Sequence, residues 1–488
     1  MTMRLSEKGI LRNTDWWIVA AYIVLVVIGL MNIYASIHST GVTSIFDPAG
    51  RSGKQFIWTM VSIGAAALIL FVINPRIYEG LSLPIYIGTV ALLVAVIFLG
   101  TEVKGSRSWF ELGPARFQPA EISKIATSLL LATVMSQFGF RMGRIKDFLT
   151  VAAIVTVPML IIIAQSETGS ALVYVGFIFV LYREGLSGWI IFLIGIFIAL
   201  FILTLTVSPY AAILTLALVV SFCDAAYTGF MKQWLRIYLP VLAVLAGLPF
   251  LLGYLCSLTE NPDAFIRRID PVHILLGAGA VAIPFLLFRA YRSRKPFTLL
   301  AIATFIIGVA LSFSTEFIFE NVLQDHQRQR IEVLLGMKED PTGVGYNVNQ
   351  SMIAIGSGGF LGKGYLHGTQ TTYGFVPEQS TDFIFCTIGE EWGFVGATAV
   401  ILIYIFLICR IIISAEKSRE AFTRIYGYCV ASCIFMHLFI NIGMTIGLMP
   451  VIGIPLPFVS YGGSSLLAFT ILLFIFIALK SNENHNFT

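Results

Sequence analysis

Apolar stretches long enough to cross a bilayer recur along this chain, and they constrain its fold more than any other feature. A spanning helix needs about 20 residues, because the hydrocarbon offers backbone amides no partner outside the segment. About fourteen candidate runs are present by that measure. They start near Trp16, Phe56, Leu83, Glu121, Leu149, Thr168, Ser187, Tyr210, Leu235, Val272, Phe297, Phe394, Ile425 and Val459. The run from Tyr210 to Cys223 is the shortest and least secure. The first run lacks a convincing cleavage site and reads as an anchor. Charged residues are only 12% of the 488, against about 25% in a soluble domain. The expected fold class is therefore all-α, a polytopic integral membrane protein with about 14 helices and a large extracellular loop.

Orientation follows from where the cations lie. With Arg4, Lys8 and Arg12 in the cytoplasm, the count puts three basic loops on the same side. They hold Arg141, Arg144 and Lys146; then Arg289, Arg292, Arg294 and Lys295; then Arg410, Lys417, Arg419 and Arg424. Two motif-rich loops, Thr101 to Ala120 and Phe317 to Thr381, then face outward. The net charge of +4 says little globally, and no nucleic-acid partner is expected. The six cysteines show no metal-ligand spacing, and Cys429 and Cys433 read as packing residues sharing a helix face.

In the first outer loop, Trp109, Phe110 and Phe117 suit the headgroup region. Pro119 suits a first helical turn, and Glu121 and Lys124, three apart, face one side and can neutralise each other. Further on, Ser166 is a candidate helix cap with Glu167 an acid in the first turn. The large loop opens with helical spacing and mixed charge from Phe317 to Leu335, which suits a helix lying at the interface. Its glycines, among them Gly356, Gly358, Gly359, Gly362 and Gly364, do not form a P-loop. Ser357 stands where the first Gly is needed, and Gly364 where Ser or Thr should follow Lys363. A compact loop making tight turns near a ligand fits better.

After that loop, "GTQTTYGFVPEQSTDFIFCTIGEEWGFVG" places Asp382 where loop meets lipid, a costly position unless the charge is used or paired. Asp382 could instead cap the helix that follows. Glu390 and Glu391 lie about two turns deeper and read as buried structural acids. In "NIGMTIGLMPVIGIPLPFVSYGGSS", Pro450, Pro455 and Pro457 exclude a continuous helix. A broken, re-entrant segment between the last two spans results, of the kind that lines a cavity. Taken alone, it would suit a transporter equally.

These segments together resemble the SEDS family (shape, elongation, division, sporulation) of cell-wall glycosyltransferases, closest to its RodA branch rather than the FtsW branch. The likeness covers residues 16 to about 207 and 317 to about 480. It sets the divisions at 1–207 (core, first part), 208–316 (about four inserted spans), 317–381 (outer loop) and 382–488 (core, last three spans). Five positions depart from the family pattern: Ala120 replaces Ser, Ser166 replaces Pro, Glu167 replaces Asp, and Gln379-Ser380 replaces Arg-His.

The resemblance implies polymerisation of lipid II into glycan strands as undecaprenyl pyrophosphate leaves, on the outer face of the bacterial cytoplasmic membrane during elongation. A sugar hydroxyl must lose its proton as it attacks, which needs a fixed carboxylate. The departing pyrophosphate needs cations. By family correspondence Asp382 is the catalytic carboxylate and Glu378 orients it or binds substrate. Arg107, Trp109, Lys363, Glu121, Lys124, Glu167 and Ser460 are further substrate-binding candidates. Lys104, Arg107, Arg116 and Lys363 are candidate pyrophosphate partners. A class B penicillin-binding protein and the elongation machinery are the expected partners. No cofactor or protein metal site is expected, though a divalent ion, Mg or Mn, could travel with the pyrophosphate. A lipid II flippase and a scaffold for a partner enzyme are the competing readings.

Overall fold

Each of the fourteen runs becomes a helix. The computed structural model describes residues 14–38, 44–47, 50–103, 106–112, 115–258, 270–294, 296–321, 323, 325–337 and 343–486. Arg4, Lys8, Arg12, Lys104 and Lys295 lie outside them. Among the described residues, 12 helices are long and apolar enough to span a bilayer. The chain is a multi-pass membrane protein. Two of the fourteen are shorter. Pro119–Met135 has 17 residues, and Thr168–Arg183 is broken at Gly176.

Contacts divide the chain into two compact units, Met1–Leu186 with Glu339–Thr488, and Ser187–Lys338. The second is wider than the interval 208–316 set off from the sequence. The first unit holds α1 (Trp16–Ile37), α2 (Arg51–Phe71), α3 (Arg76–Leu99), α4 (Pro119–Met135), α5 (Ile145–Ala164), α6 (Thr168–Val175) and α7 (Phe177–Arg183). The second holds α8 (Gly188–Thr206), α9 (Pro209–Thr228), α10 (Leu239–Ser257), α11 (Pro271–Ser293), α12 (Pro296–Asn321) and α13 (Asp325–Leu334). The first unit then resumes with α14 (Val344–Ser357), α15 (Thr369–Thr372), α16 (Ile384–Glu416), α17 (Ala421–Thr445) and α18 (Gly463–Asn486).

The weak 210–223 run is a full 20-residue helix, α9. Ser208 caps it, accepting from Ala211 N, and Pro209 opens it. The stretch 317–335 is not one interfacial helix: its start completes α12, and Asp325–Leu334 is separate.

In the first unit, ion pairs gather helix ends at one side. Arg410 meets Asp15 at 2.8 Å, Arg424 meets Glu184 at 3.0 Å and Arg183 meets Glu416 at 2.7 Å. The start of α1, at Asp15, and the Arg410 end of α16 therefore lie on the same side. At the opposite helix ends the chain forms a small sheet. Strands β1 (Thr101–Val103), β2 (Ser106–Leu112) and β3 (Ala115–Phe117) pair antiparallel in the order β1-β2-β3. Its register sets Glu102 opposite Arg107 and Glu111 opposite Arg116, favourable cross-strand neighbours. Helix α16 packs on α1, α14 and α17, and α17 on α4.

Candidate functional site

Asp382 sits on a tight turn just before α16. The N-cap position falls on Phe383, so the carboxylate is not in the capping place. Glu378 shapes this turn from the backbone φ of +52°, a region that costs a non-glycine residue energy and gathers at functional sites. Its carbonyl accepts from Thr381 N (3.1 Å) and Phe383 N (3.3 Å), and its carboxylate accepts from Thr381 Oγ1 (3.1 Å). Glu378 therefore builds the turn that carries Asp382.

The turn is fastened to the non-helical segment between α17 and α18, where the three prolines leave backbone groups without helical partners. Ser460 Oγ donates to Thr381 O at 2.6 Å and accepts from Leu456 N at 2.8 Å, while Tyr461 N donates to Ser380 O at 2.8 Å. Asn441 Nδ2 on α17 bridges both sides, donating to Asp382 O (2.9 Å) and Ile454 O (2.7 Å). The Asp382 carboxylate lies over Gly453: a Cβ there would stand 3.3 Å from Oδ2. Gly453 has φ +75°, a conformation that favours glycine, and a side chain there would press on the Asp382 carboxylate.

Beneath the segment runs a second polar chain. The buried ion pair Glu121–Lys124 (2.9 Å) continues from Lys124 Nζ to His437 Nε2 (2.9 Å) and from His437 Nδ1 to Pro455 O (3.0 Å). Lys124 also lies 4.8 Å from the Phe469 ring centre. Glu121 and Lys124 thus neutralise each other, and they also support the broken segment. Glu167 joins this cluster: Gln118 and Ser170 donate to its Oε1. Burial pushes the Glu167 carboxyl above its usual range, more than the hydrogen bonds from Ser108 and Ser170 lower it. Ser166 is not the cap of α6: that place falls on Glu167, and Ser166 takes a φ of +61°.

The candidate cations are disposed differently. Arg107 and Arg116 are exposed and paired across strands with Glu102 (3.4 Å) and Glu111 (3.1 Å). Trp109 is half-buried in β2, its carbonyl accepting from Thr101 Oγ1. Lys363 is held at 2.7 Å by Glu390, a fully buried carboxylate that also accepts from the backbone N–H of Thr369, Gln370 and Thr371. Lys363 therefore locks the outer loop rather than presenting its charge. The glycines serve the same end. Lys363 N and Gly364 N bond the carbonyls of Glu390 and Glu391, and Phe394 N and Val395 N bond those of Gly359 and Phe360. Helix α16 gives up its own bonds there at a kink, Gly393 (φ +63°), and a Cβ on Gly362 would lie 2.2 Å from Glu391 O.

The sequence reading overlooked Arg51, Gln55, His437 and Asn441. Arg51, exposed at the start of α2, donates to Ser380 Oγ at 2.7 Å and lies over the Tyr461 ring. It supplies a cation beside the turn where Gln379 and Ser380 provide none. Gln55 accepts from Gly462 N at 3.1 Å. A detectable signal existed for His437 and Asn441: two polar residues four apart in an apolar helix share a face and ask for partners. Among the described residues, no group of three or more His, Cys, Asp or Glu could hold a metal ion.

The chain resembles known proteins over most of its length. MrdB of Escherichia coli K12, named a peptidoglycan glycosyltransferase, is 30% identical over 409 residues, 83% of this chain and 80% of its own. RodA of Treponema pallidum, named likewise, is 30% identical over 454 residues, 93% and 94% of the two chains. Among solved structures, a chain of a peptidoglycan synthase complex that coordinates polymerization and crosslinking superposes with a TM-score of 0.59 at 21% identity, covering 96% of this chain and 98% of that one. RodA of Thermus thermophilus gives 0.53 at 19%, covering 96% and 97%; at such identities the likeness concerns the fold. A model of the cell cycle protein family FtsW/RodA/SpoVE matches residues 15–234 and 278–485, leaving 235–277 outside, and with that match this chain belongs to the FtsW/RodA/SpoVE family.

Proposed function

We propose that this protein is a peptidoglycan glycosyltransferase that polymerises lipid II on the outer face of the bacterial cytoplasmic membrane, with Asp382 as general base. One observation carries the assignment of the base: the turn that bears Asp382, shaped by Glu378, is fastened by its backbone to the broken segment through Ser460 and Asn441, and this sets the Asp382 carboxylate against Gly453. Fixing a base in place is what proton abstraction from a sugar hydroxyl demands. The names of the relatives support the reaction class.

In this reading Asp382 takes the proton of the acceptor hydroxyl as its oxygen bonds to the donor's anomeric carbon. The bond from that carbon to the phosphate oxygen breaks, and the electron pair leaves with the pyrophosphate. Arg51 is the cation beside the turn that would steady the leaving charge. A divalent ion, Mg or Mn, would draw its ligands chiefly from phosphate oxygens. A class B penicillin-binding protein of the elongation machinery is the partner that would crosslink the product. The flippase alternative has no observation of its own in its favour.

The test is polymerisation of labelled lipid II by the purified protein, with the class B partner added, resolved by gel. Glycan strands are the expected product. Transfer of lipid II between vesicle leaflets without strand formation would establish the flippase instead.

A further inference from the structure

The second unit contains a cavity of about 350 Å³ between α9, α10, α11 and α12, within the roughly 300–1,000 Å³ range of small-ligand pockets. Its walls are apolar, with Leu242, Leu245, Leu286 and Phe305 among them. At one end is the buried pair Asp224–Arg289, where Thr298 Oγ1 also donates to Asp224 at 2.7 Å. Asp224 is the only acid among the lining residues, and this pairing neutralises it. The same end carries exposed cations. Lys232 and Arg236 lie on the stretch joining α9 to α10, and Arg292 and Arg294 at the end of α11. That stretch includes a π-helical turn, Trp234–Tyr238, a local form frequent at functional sites. Trp234 and Tyr238 line the cavity and are of the type that sits at headgroup depth.

We propose that this unit binds one anionic phospholipid, with an acyl chain in the cavity and the headgroup against Lys232, Arg236, Arg292 and Arg294. Away from the basic end the walls are apolar, which suits an acyl chain. Charge selects the headgroup. The rim is cationic while the one acid is already paired, so a net negative group is attracted and a zwitterion gains much less. The basic loop containing Arg289, Arg292 and Arg294 is the one assigned to the cytoplasm, so the lipid would come from the inner leaflet. This site does not depend on the polymerase reading.

The test uses the full-length protein, stripped of lipid in detergent and titrated with phosphatidylglycerol or phosphatidylcholine under native mass spectrometry. One phosphatidylglycerol should be retained, with at least ~tenfold preference over phosphatidylcholine. Ala282→Phe, which fills the cavity, should abolish retention. The surface variant Lys232→Ser/Arg236→Ser, which leaves the core untouched, should weaken phosphatidylglycerol binding about thirtyfold, at roughly 1 kcal/mol per cation. Equal retention of the two lipids would overturn the proposal. So would undiminished binding in a folded Ala282→Phe protein or in the surface variant, or a dimer signal abolished by Ala282→Phe, which would place a second copy in the cavity.

Discussion

Two helices of similar apolarity, α17 in the first unit and α10 in the second, have opposite surroundings. In α17, 83% of the apolar window is buried by protein; in the span ending with α10, none is. Helix α17 carries His437 and Asn441, and both find partners in the broken segment and the Asp382 turn. Helix α10 carries no charged residue, and none of its residues is fully buried. Polar side chains at membrane depth are tolerated where protein encloses them and gives them partners. The first unit is built to hold a polar site inside; the second keeps the buried pair Asp224–Arg289 at a basic end, beside an apolar cavity.

Two buried ion pairs, Glu121–Lys124 and Asp224–Arg289, allow that contrast to be broken. Lys124→Met leaves Glu121 charged and buried, and should cost about 3–5 kcal/mol of stability in detergent unfolding. The double variant Glu121→Gln/Lys124→Met should recover most of it, since no lone charge remains. Arg289→Met strands Asp224 in the same way and should also destabilise. Correcting for folded protein, only the Lys124 variant should lose polymerisation. Equal loss in both would mean that the second unit takes part in the chemistry.

The next effect concerns the cations of the first unit. Arg51→Ala should slow polymerisation about ten- to a hundredfold, as expected for roughly 1.5–3 kcal/mol from one charged hydrogen bond. Arg107 lies in an exposed pair with Glu102, so Arg107→Ala should change stability by less than about 1 kcal/mol. If Arg107 rather than Arg51 slows the reaction, the pyrophosphate partner is the hairpin.

A smaller, pH-dependent effect is expected at Glu167, whose carboxyl is raised by burial. A raised folded-state value means that the folded protein holds the proton more tightly than the unfolded chain does. Its contribution is then complete below the unfolded carboxylate range and is lost as pH rises through the folded value. Glu167→Gln keeps the shape and cannot ionise, so its unfolding midpoint should lack that decline. A wild-type midpoint flat through the same window would remove the argument.

The spans were legible because hydrophobic length is a local property of the sequence, and even the short 210–223 run became a full helix once Ser208 and Pro209 began it. The position of Asp382 at the head of a span was legible for the same reason. The hairpin was passed over although Gly105 and Gly113-Pro114 flank a seven-residue run, a usable strand signal. Lys363 was read as a free outer cation because its partner, Glu390, lies 27 residues away and is brought back by the glycine loop. Arg51 reaches across 329 residues to Ser380, a pairing that no local pattern encodes.

The central claim is that Asp382 removes the acceptor proton. It is tested most directly by comparing Asp382→Asn with wild type in lipid II polymerisation at neutral pH. Asn keeps the size and hydrogen-bonding reach but cannot take a proton. The account predicts a loss of ~10²–10⁴-fold with an unchanged unfolding transition. Strand synthesis at the wild-type rate by a folded Asp382→Asn protein would contradict it.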